Sequence, residues 1–543
     1  MKRKFVKRLF SVGAATLALS LSASFVASAC TALFAGGSLT ADGNPIVARS
    51  EDYTNSRAKQ FYISPSGQYK AGEHYVGCEG YGAFEWTWTH DSYRFTAFKA
   101  DNEFNGLCPE CGKSGHPSYT ESGTNEKGVT VSATETLYGN GKVDAEGVDP
   151  MRQTKIDWKV GIEETDIPTI LLSEAATARE GVELLLSIYD NYGCYFASGL
   201  FIADQKEIWY IENCSGTQYL ALKLPSDILF LVPNISVIGA IDLDDTEHVI
   251  ASDRLIDVAK QAGTFVGDEA ENIIDFRASY ARLKESSKNR LSNGLHFINP
   301  AYHYTEQELL DNSTQFTISN VKDGAIVPLY TNIQADRKLT PDDIVNYYKV
   351  DGIANTGNTD TAFFQITTTR PVTLPLGTVE WTSMSHGAYN VFIPTYPLLM
   401  NSVYAGYSAA VGEADKNVSA KPSADRLYYR TEANGSYTVL PVNFEQSFYW
   451  SFDALSNYIL YAQYDGKPVS DAAVQVVKNR FAALQAEIYD DFETLNQTLS
   501  LYDLAKPNDL AAAREAVTNY HAAMSEKAHK LALEMLNFVR SEA

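Results

Sequence analysis

The first thirty residues constrain this chain more than any other stretch. MKRKFVKR is basic, LFSVGAATLALSLSASFV is apolar, and Ala27-Ser28-Ala29 ends the stretch with small residues at alternate positions. This is the layout of an export signal cut after an A-x-A pattern. Residues 1–29 are therefore expected to be a signal peptide, and Cys30 the first residue that remains. A membrane-spanning helix is the competing reading, but the run is rich in Ser and Ala and ends in the cleavage pattern. No other apolar run is long enough to span a bilayer, so no membrane span is expected. The protein is expected to be secreted or held at the cell surface or in the periplasm.

A chain that starts at Cys30 also starts with a strand. CTALFAG (30–36) is a short apolar run, GSLTADGN is turn-rich with Asp42-Gly43 as its sharpest signal, and PIVAR reads as a second strand. If the turn spans 37–44, the position opposite Cys30 is about 51. Arg49-Ser50-Glu51-Asp52 then returns beside the new N-terminus.

That neighbourhood suits nucleophilic chemistry. A thiolate is a strong nucleophile but needs a base or a lowered pKa. An N-terminal cysteine carries its own base, an α-amine with an ordinary pKa of about 7.7–8.0. Arg49 is placed to favour the thiolate and Asp52 to hold the amine. An oxyanion would need backbone N–H groups or an Asn side chain from elsewhere. Two other roles compete for Cys30: an ordinary paired cysteine, or the lipid-attachment cysteine of a surface binding protein. Full lipoprotein maturation acylates the amine and removes the base.

Other signals are more local. Thr177-x-x-Glu180 reads as a capping box ahead of a helix, with Gly193 as its stop. Strands are expected at 128–137, 194–204 and 207–216, a strand pair at 218–223 and 228–233, and a helix at 252–262. Near the end, Val474, Val477, Phe481, Leu484, Ile488, Phe492, Leu495 and Leu499 recur at helical spacing. After Pro507-Asn508 a second helix aligns Leu510, Val517, Tyr520, Met524, Leu531, Met535 and Phe538. An antiparallel helix pair packed on the main body is expected.

The net charge of −23 disfavours nucleic acid as a partner. No G-x-S-x-G, H-E-x-x-H or phosphate loop is present, and Asp242-x-Asp244-Asp245 lacks the glycine of an EF-hand loop. Cys108-Pro-Glu-Cys111 is a lone C-x-x-C; a local disulfide or a structural loop is favoured over a zinc site with Cys78 and His116. Cys194 and Cys214 lie on adjacent expected strands, but strict pairing about the turn misses a bridge by about three residues. No metal or cofactor is expected.

Several segments together resemble the bacterial cysteine dipeptidases of the N-terminal-nucleophile hydrolase superfamily, which are related to choloylglycine hydrolases and penicillin V acylases. The resemblance starts at Cys30-Thr31 and continues through Arg49-x-x-Asp52. It includes Thr124-Asn125-Glu126-Lys127-Gly128-Val129 followed by Ser132-Ala133-Thr134-Glu135-Thr136. It extends through Ala203-Asp204, Glu207-Ile208-Trp209, Ala221-Leu222-Lys223-Leu224-Pro225 and Val232-Pro233-Asn234. It ends with Gly377-Thr378-Val379-Glu380-Trp381 and Val391-Phe392-Ile393-Pro394. The resemblance implies an α+β fold, an αββα sandwich over residues 30–400, followed by a C-terminal part (401–543) that ends in the helix pair. It implies Cys30 as nucleophile, supported by Arg49 and Asp52. Asn234 and a backbone N–H near Thr134 or Glu135 would form the oxyanion hole, with Asn125 nearby. Arg290 is the candidate for the family's later arginine, with Arg277 and Arg282 as alternatives. Small peptides are the implied substrates, through an acyl-thioester; non-peptide acyl amides of the bile-salt or penicillin V type are the alternative.

Overall fold

The computed structural model describes residues 30–52, 58–77, 84–100, 120–132, 135–143, 145, 147–149, 161–282, 288–301, 335–350, 352–353, 359–368, 372–409, 411, 414–419, 427–430, 436–461 and 469–542. The expected signal peptide (1–29), Cys78, Cys108, Cys111, His116 and Thr134 lie outside these residues. Helix and sheet are mixed, as expected for an α+β chain.

The chain opens with strand β1 (Thr31–Ala35), whose residues are buried throughout. Strand β2 (Ile46–Asp52) returns antiparallel to it, with Thr31 opposite Ser50 and Ala35 opposite Ile46. The register therefore brings Glu51 opposite Cys30, as the residue count predicts. These strands sit inside an antiparallel six-stranded sheet. Its order is Leu229–Val232, β1, β2, Thr359–Ile366, Thr378–Met384, Ile393–Thr395. An apolar run such as TALFA suits this central position because both of its faces are covered.

A second sheet has nine strands, with β3 (Lys59–Ser64) at one end and Val249–Ala251 at the other. Its centre is the hairpin Ser198–Ala203 and Ile208–Asn213. The two sheets meet through aromatic side chains: Phe34 stacks on Phe201 at 6.1 Å, and Tyr210 meets Phe230 at 5.3 Å. Thr96 of the second sheet also donates to Glu380 of the first at 3.1 Å.

Each sheet carries helices on its other face. Helix α1 (Ile167–Glu174) and helix α2 (Ala178–Tyr192) bury Ile170, Leu171, Val182 and Leu185 with Ile202, Trp209 and Ile211. Thr177 caps α2 by accepting from the Glu180 N–H. The Glu180 carboxylate reaches back one residue further than a capping box requires, to the Ala176 N–H at 2.9 Å. Gly193 ends the helix at φ 77°, a conformation that favours glycine.

At the other end of the chain, helices Asp471–Leu499 and Pro507–Glu542 run antiparallel. Arg480 pairs with Glu534 at 3.1 Å, and Tyr520 donates to the Ile488 carbonyl at 3.2 Å. Val477, Phe481, Leu484, Ile488, Phe492, Leu495 and Leu499 form the buried stripe, as their spacing predicts. The pair lies against the six-stranded sheet. Trp381 contacts Tyr489 and Phe492, and Gln485 exchanges two hydrogen bonds with the Phe392 backbone.

One expected pairing is corrected. Segments 218–223 and 228–233 are strands, Tyr219–Lys223 and Leu229–Val232, but they are not partners. The first pairs with Ile208–Asn213 in the nine-stranded sheet, and the second crosses over to β1 in the other. Pro225 lies in the connection; it fixes φ and supplies no N–H. Cys194 is not bridged to Cys214: its thiol donates to the Phe196 carbonyl at 2.7 Å.

Candidate active site

The candidate site lies at the head of β1. Cys30 is fully buried, and its thiol lies 3.7 Å from Glu51 Oε2. Arg49 Nη2 donates to the same oxygen at 2.5 Å. Alternation along β2 puts Arg49 and Glu51 on one face, so the guanidinium, carboxylate and thiol share the interior between the sheets. Asp52 follows at the end of β2, fully buried, and alternation points it to the other face. The carboxylate brought against the thiol is therefore Glu51. The residue count already placed position 51 there; the expectation for Asp52 concerns the α-amine and not the thiol.

Arg290 supplies the second guanidinium. It is buried within helix Lys288–Ile298. Its Nη1 donates to the Cys30 carbonyl and, at 3.1 Å, to Thr31 Oγ1. Its Nη2 donates to the Pro233 carbonyl at 3.2 Å and to Asn234 Oδ1 at 2.9 Å. The flat, five-donor fork of arginine suits this spread of acceptors. Asn234 follows the neighbouring strand by two residues and sits in the left-handed region, φ 56°, which asparagine tolerates better than most residues. Its Nδ2 donates to the Thr136 carbonyl at 3.1 Å. Tyr348 donates to the Thr31 carbonyl at 3.0 Å, and Thr31 Oγ1 to the Ile353 carbonyl at 3.0 Å, which fixes the backbone beside Cys30.

Behind Glu51 lies a buried charge cluster. Asp360 stands opposite Glu51 on strand Thr359–Ile366. Lys59 of β3 pairs with Asp360 at 3.1 Å and with Glu121. Burial alone would lower the Lys59 pKa, but Asp360, Glu121 and Glu51 outweigh it and hold the amine above its ordinary value. Burial, aided by Asp360, pushes the Glu121 carboxyl well up. Sequence reasoning missed this cluster, because its members come from three strands far apart in the chain. The available signal was a lysine in a strand with apolar neighbours, where an unpaired charge is costly.

A family description for peptidase family C69 matches residues 29–430. The chain belongs to peptidase family C69. Among its relatives, a probable dipeptidase B of Streptococcus pyogenes serotype M6 is 30% identical over 319 residues, 58% of this chain and 59% of its own length. A probable dipeptidase of Salmonella dublin is 34% identical over 255 residues, 47% and 53% of the two chains. A probable dipeptidase B of Lactococcus lactis is 26% identical over 405 residues, 71% and 78%. The match to the Streptococcus protein thus spans under two thirds of that relative's length. A conjugated bile acid hydrolase from Clostridium perfringens aligns over 65% of this chain and 89% of its own at 12% identity, with a TM-score of 0.25, a likeness too slight to bear on the site.

Within this C69 chain, Cys30, Arg49, Asn234 and Arg290 are linked by the contacts above. Asn125 is engaged elsewhere. Its Nδ2 donates to the Leu172 and Ala175 carbonyls at 3.0 and 2.7 Å, and its Oδ1 accepts from the Lys127 and Val129 N–H groups. These four bonds tie a hairpin to the end of α1. Glu135 is placed by its backbone, opposite Gly199. Of the alternative arginines, Arg277 lies in helix Phe276–Tyr280, and Arg282 is exposed with its guanidinium 5.5 Å from the Tyr138 ring centre. Among the described residues, no group of three or more His, Cys, Asp or Glu side chains is arranged to hold a metal, and no helix is long and apolar enough to cross a membrane.

Proposed function

We propose that this protein is a cysteine dipeptidase whose nucleophile, Cys30, becomes the N-terminal residue when an export leader is removed after Ala29. The observation that carries the reading is the double hold of Arg290, which ties the Cys30 carbonyl to the Asn234 side chain in a chain of a peptidase family. The antiparallel register also supports it. Cys30 stands opposite Glu51, so its nitrogen lies toward position 52, where Asp52 would hold the α-amine.

In this mechanism the α-amine takes the thiol proton, and Arg49, bound to Glu51, helps to stabilise the thiolate. Sulfur attacks the peptide carbonyl carbon. The oxyanion receives hydrogen bonds from Asn234 Nδ2 and a backbone N–H near Thr134 or Glu135. Collapse breaks the C–N bond, and the α-ammonium protonates the departing amine. Water then hydrolyses the thioester and restores the thiol. The catalytic fold would be an αββα sandwich over 30–400, with 401–543 as a helical extension. Export would place it in the secreted, cell-surface or periplasmic space.

The test is hydrolysis of free dipeptides beside N-acyl amides, by the wild-type chain and Cys30→Ala. Dipeptides should be cleaved and the variant should be inactive. A variant that retains activity, or a wild-type chain that cleaves only acyl amides, contradicts the reading.

A further inference from the structure

A buried carboxylate that the mechanism leaves unused stands against the turn that carries Asn234. Glu212 lies on strand Ile208–Asn213 and is fully buried. Alternation puts it on the same face as Tyr210. Tyr210 meets Phe230 of the six-stranded sheet at 5.3 Å, so this face looks across the gap between the sheets. There the Tyr210 hydroxyl donates to Glu212 Oε1 at 2.9 Å, the Val237 N–H donates to Oε1 at 2.7 Å, and Ser236 Oγ donates to Oε2. Two of these donors come from the chain just after Asn234.

The turn is thus held from both sides. Ahead of it, Arg290 Nη2 donates to the Pro233 carbonyl and to Asn234 Oδ1. Beyond it, Glu212 fixes Ser236 and Val237. Between the two holds Asn234 sits at φ 56°. A non-glycine residue in the left-handed region costs on the order of 1–3 kcal/mol and persists only where its surroundings over-determine it. Arg290 fixes the Asn234 side-chain oxygen and the carbonyl before it. The backbone that follows, which sets the ψ of Asn234, is fixed by Glu212. A carboxylate is costly to bury unless hydrogen bonds satisfy it, and here the turn supplies them.

We propose that Glu212 is a positioning residue for the oxyanion donor: by holding Ser236 and Val237 it fixes the backbone that aims the Asn234 amide at the developing oxyanion. Its effect on the reaction runs through Asn234. The electrostatics agree. Burial pushes the Glu212 carboxyl up, and the bonds it receives from Ser236, Val237, Tyr210 and the Ile238 backbone oppose this by favouring the charged acceptor. A shift of about 1 Å in an aimed group costs roughly 100-fold in rate. A contact made only in the transition state is lost from kcat and leaves KM as it was.

The inference rests on the dipeptidase reading, in which Asn234 Nδ2 meets the oxyanion, and is tested separately from it. Kinetics on a free dipeptide are compared for wild type, Glu212→Gln, Asn234→Gly and the double variant, all starting at Cys30, with kcat taken per folded molecule from circular dichroism. Glutamine keeps the shape of Glu212 but offers one acceptor oxygen in place of two. Glu212→Gln should lower kcat by about 10- to 100-fold at unchanged KM. In the Asn234→Gly background the same change should lower kcat by less than about threefold, because no amide is left to aim. A merely structural Glu212 would lower Tm and cost the same factor in kcat in both backgrounds. Equal factors therefore overturn the inference and leave the dipeptidase reading in place. Ser236→Ala removes one donor between the turn and Glu212 and carries the same comparison if Glu212→Gln does not fold. Wild-type kcat in both Glu212→Gln and Ser236→Ala also overturns the inference. Failure of wild type to cleave the dipeptide overturns both.

Discussion

Replacing Arg290 with methionine removes the group on which the candidate site hangs. The Arg290→Met side chain fills a similar volume but donates no hydrogen bond. Four acceptors lose a donor: the Cys30 carbonyl, Thr31 Oγ1, the Pro233 carbonyl and Asn234 Oδ1. A hydrogen bond to a charged group contributes about 1.5–3 kcal/mol, but four bonds to one guanidinium do not add. A buried acceptor left without its donor costs about 1–3 kcal/mol, so about 4 kcal/mol is expected from the four together. For a chain of this length, unfolding with an entropy of about 2.1 cal/mol/K per residue, that corresponds to an apparent Tm lowered by about 3–4 °C. The kinetic loss should be larger. Cys30 and Asn234 would lose their common anchor, and a displacement of about 1 Å between reacting groups costs roughly 100-fold in rate. Thermal unfolding read by circular dichroism, with dipeptide hydrolysis on the same samples, measures both. Arg290→Lys should fall between, because an ammonium keeps the charge but cannot span all four acceptors. An Arg290→Met enzyme with wild-type Tm and wild-type kcat would refute the reasoning.

Three further outcomes follow from the same geometry. Asn234→Gly keeps the left-handed backbone and removes the amide, so kcat should fall about 100- to 1000-fold, and Tm should fall as well because Arg290 Nη2 and the Thr136 carbonyl each lose a partner. Lys59→Met leaves Glu121 and Asp360 buried without their cation, so unfolding by denaturant should show a loss of about 3–5 kcal/mol; adding Glu121→Gln and Asp360→Asn should recover part of it. Burial raises Glu380 to about 8 and Glu212 to about 7. Their folded pKa values lie above the unfolded value, so the folded state binds more protons between about pH 4.5 and 8. Their contribution is full below about pH 4.5 and declines as pH rises through 7 to 8. Glu380→Gln should therefore flatten the fall in Tm between pH 5 and 9; an unchanged slope contradicts the assignment to Glu380.

The site was legible where chemistry and spacing act locally. A turn of known length set the β1–β2 register, and register alone puts position 51 opposite Cys30. The helical stripe from Val477 to Leu499 is buried because a 3.6-residue repeat presents one face. The rest depends on long-range placement. Glu51 and Asp52 are adjacent carboxylates on opposite faces, and a motif read as a string does not say which one meets the thiol. Leu229–Val232 joins β1 instead of its neighbour in sequence because the chain changes sheets at Leu224-Pro225, a choice made by packing. Lys59, Glu121 and Asp360 meet across the two sheets, and no local pattern links them. Arg277, Arg282 and Arg290 are equivalent as letters. Only the fold separates a buried clamp on Cys30 from an exposed guanidinium over Tyr138.

The central claim is that Cys30 works as an N-terminal nucleophile with its own amine as the base. Its most direct test compares two purified chains, one starting at Cys30 and one with a single extra residue before it, both starts verified by intact mass. Dipeptide cleavage by the Cys30 chain alone is the predicted result. Equal cleavage by both chains would contradict the account, because an acylated nitrogen cannot carry the proton.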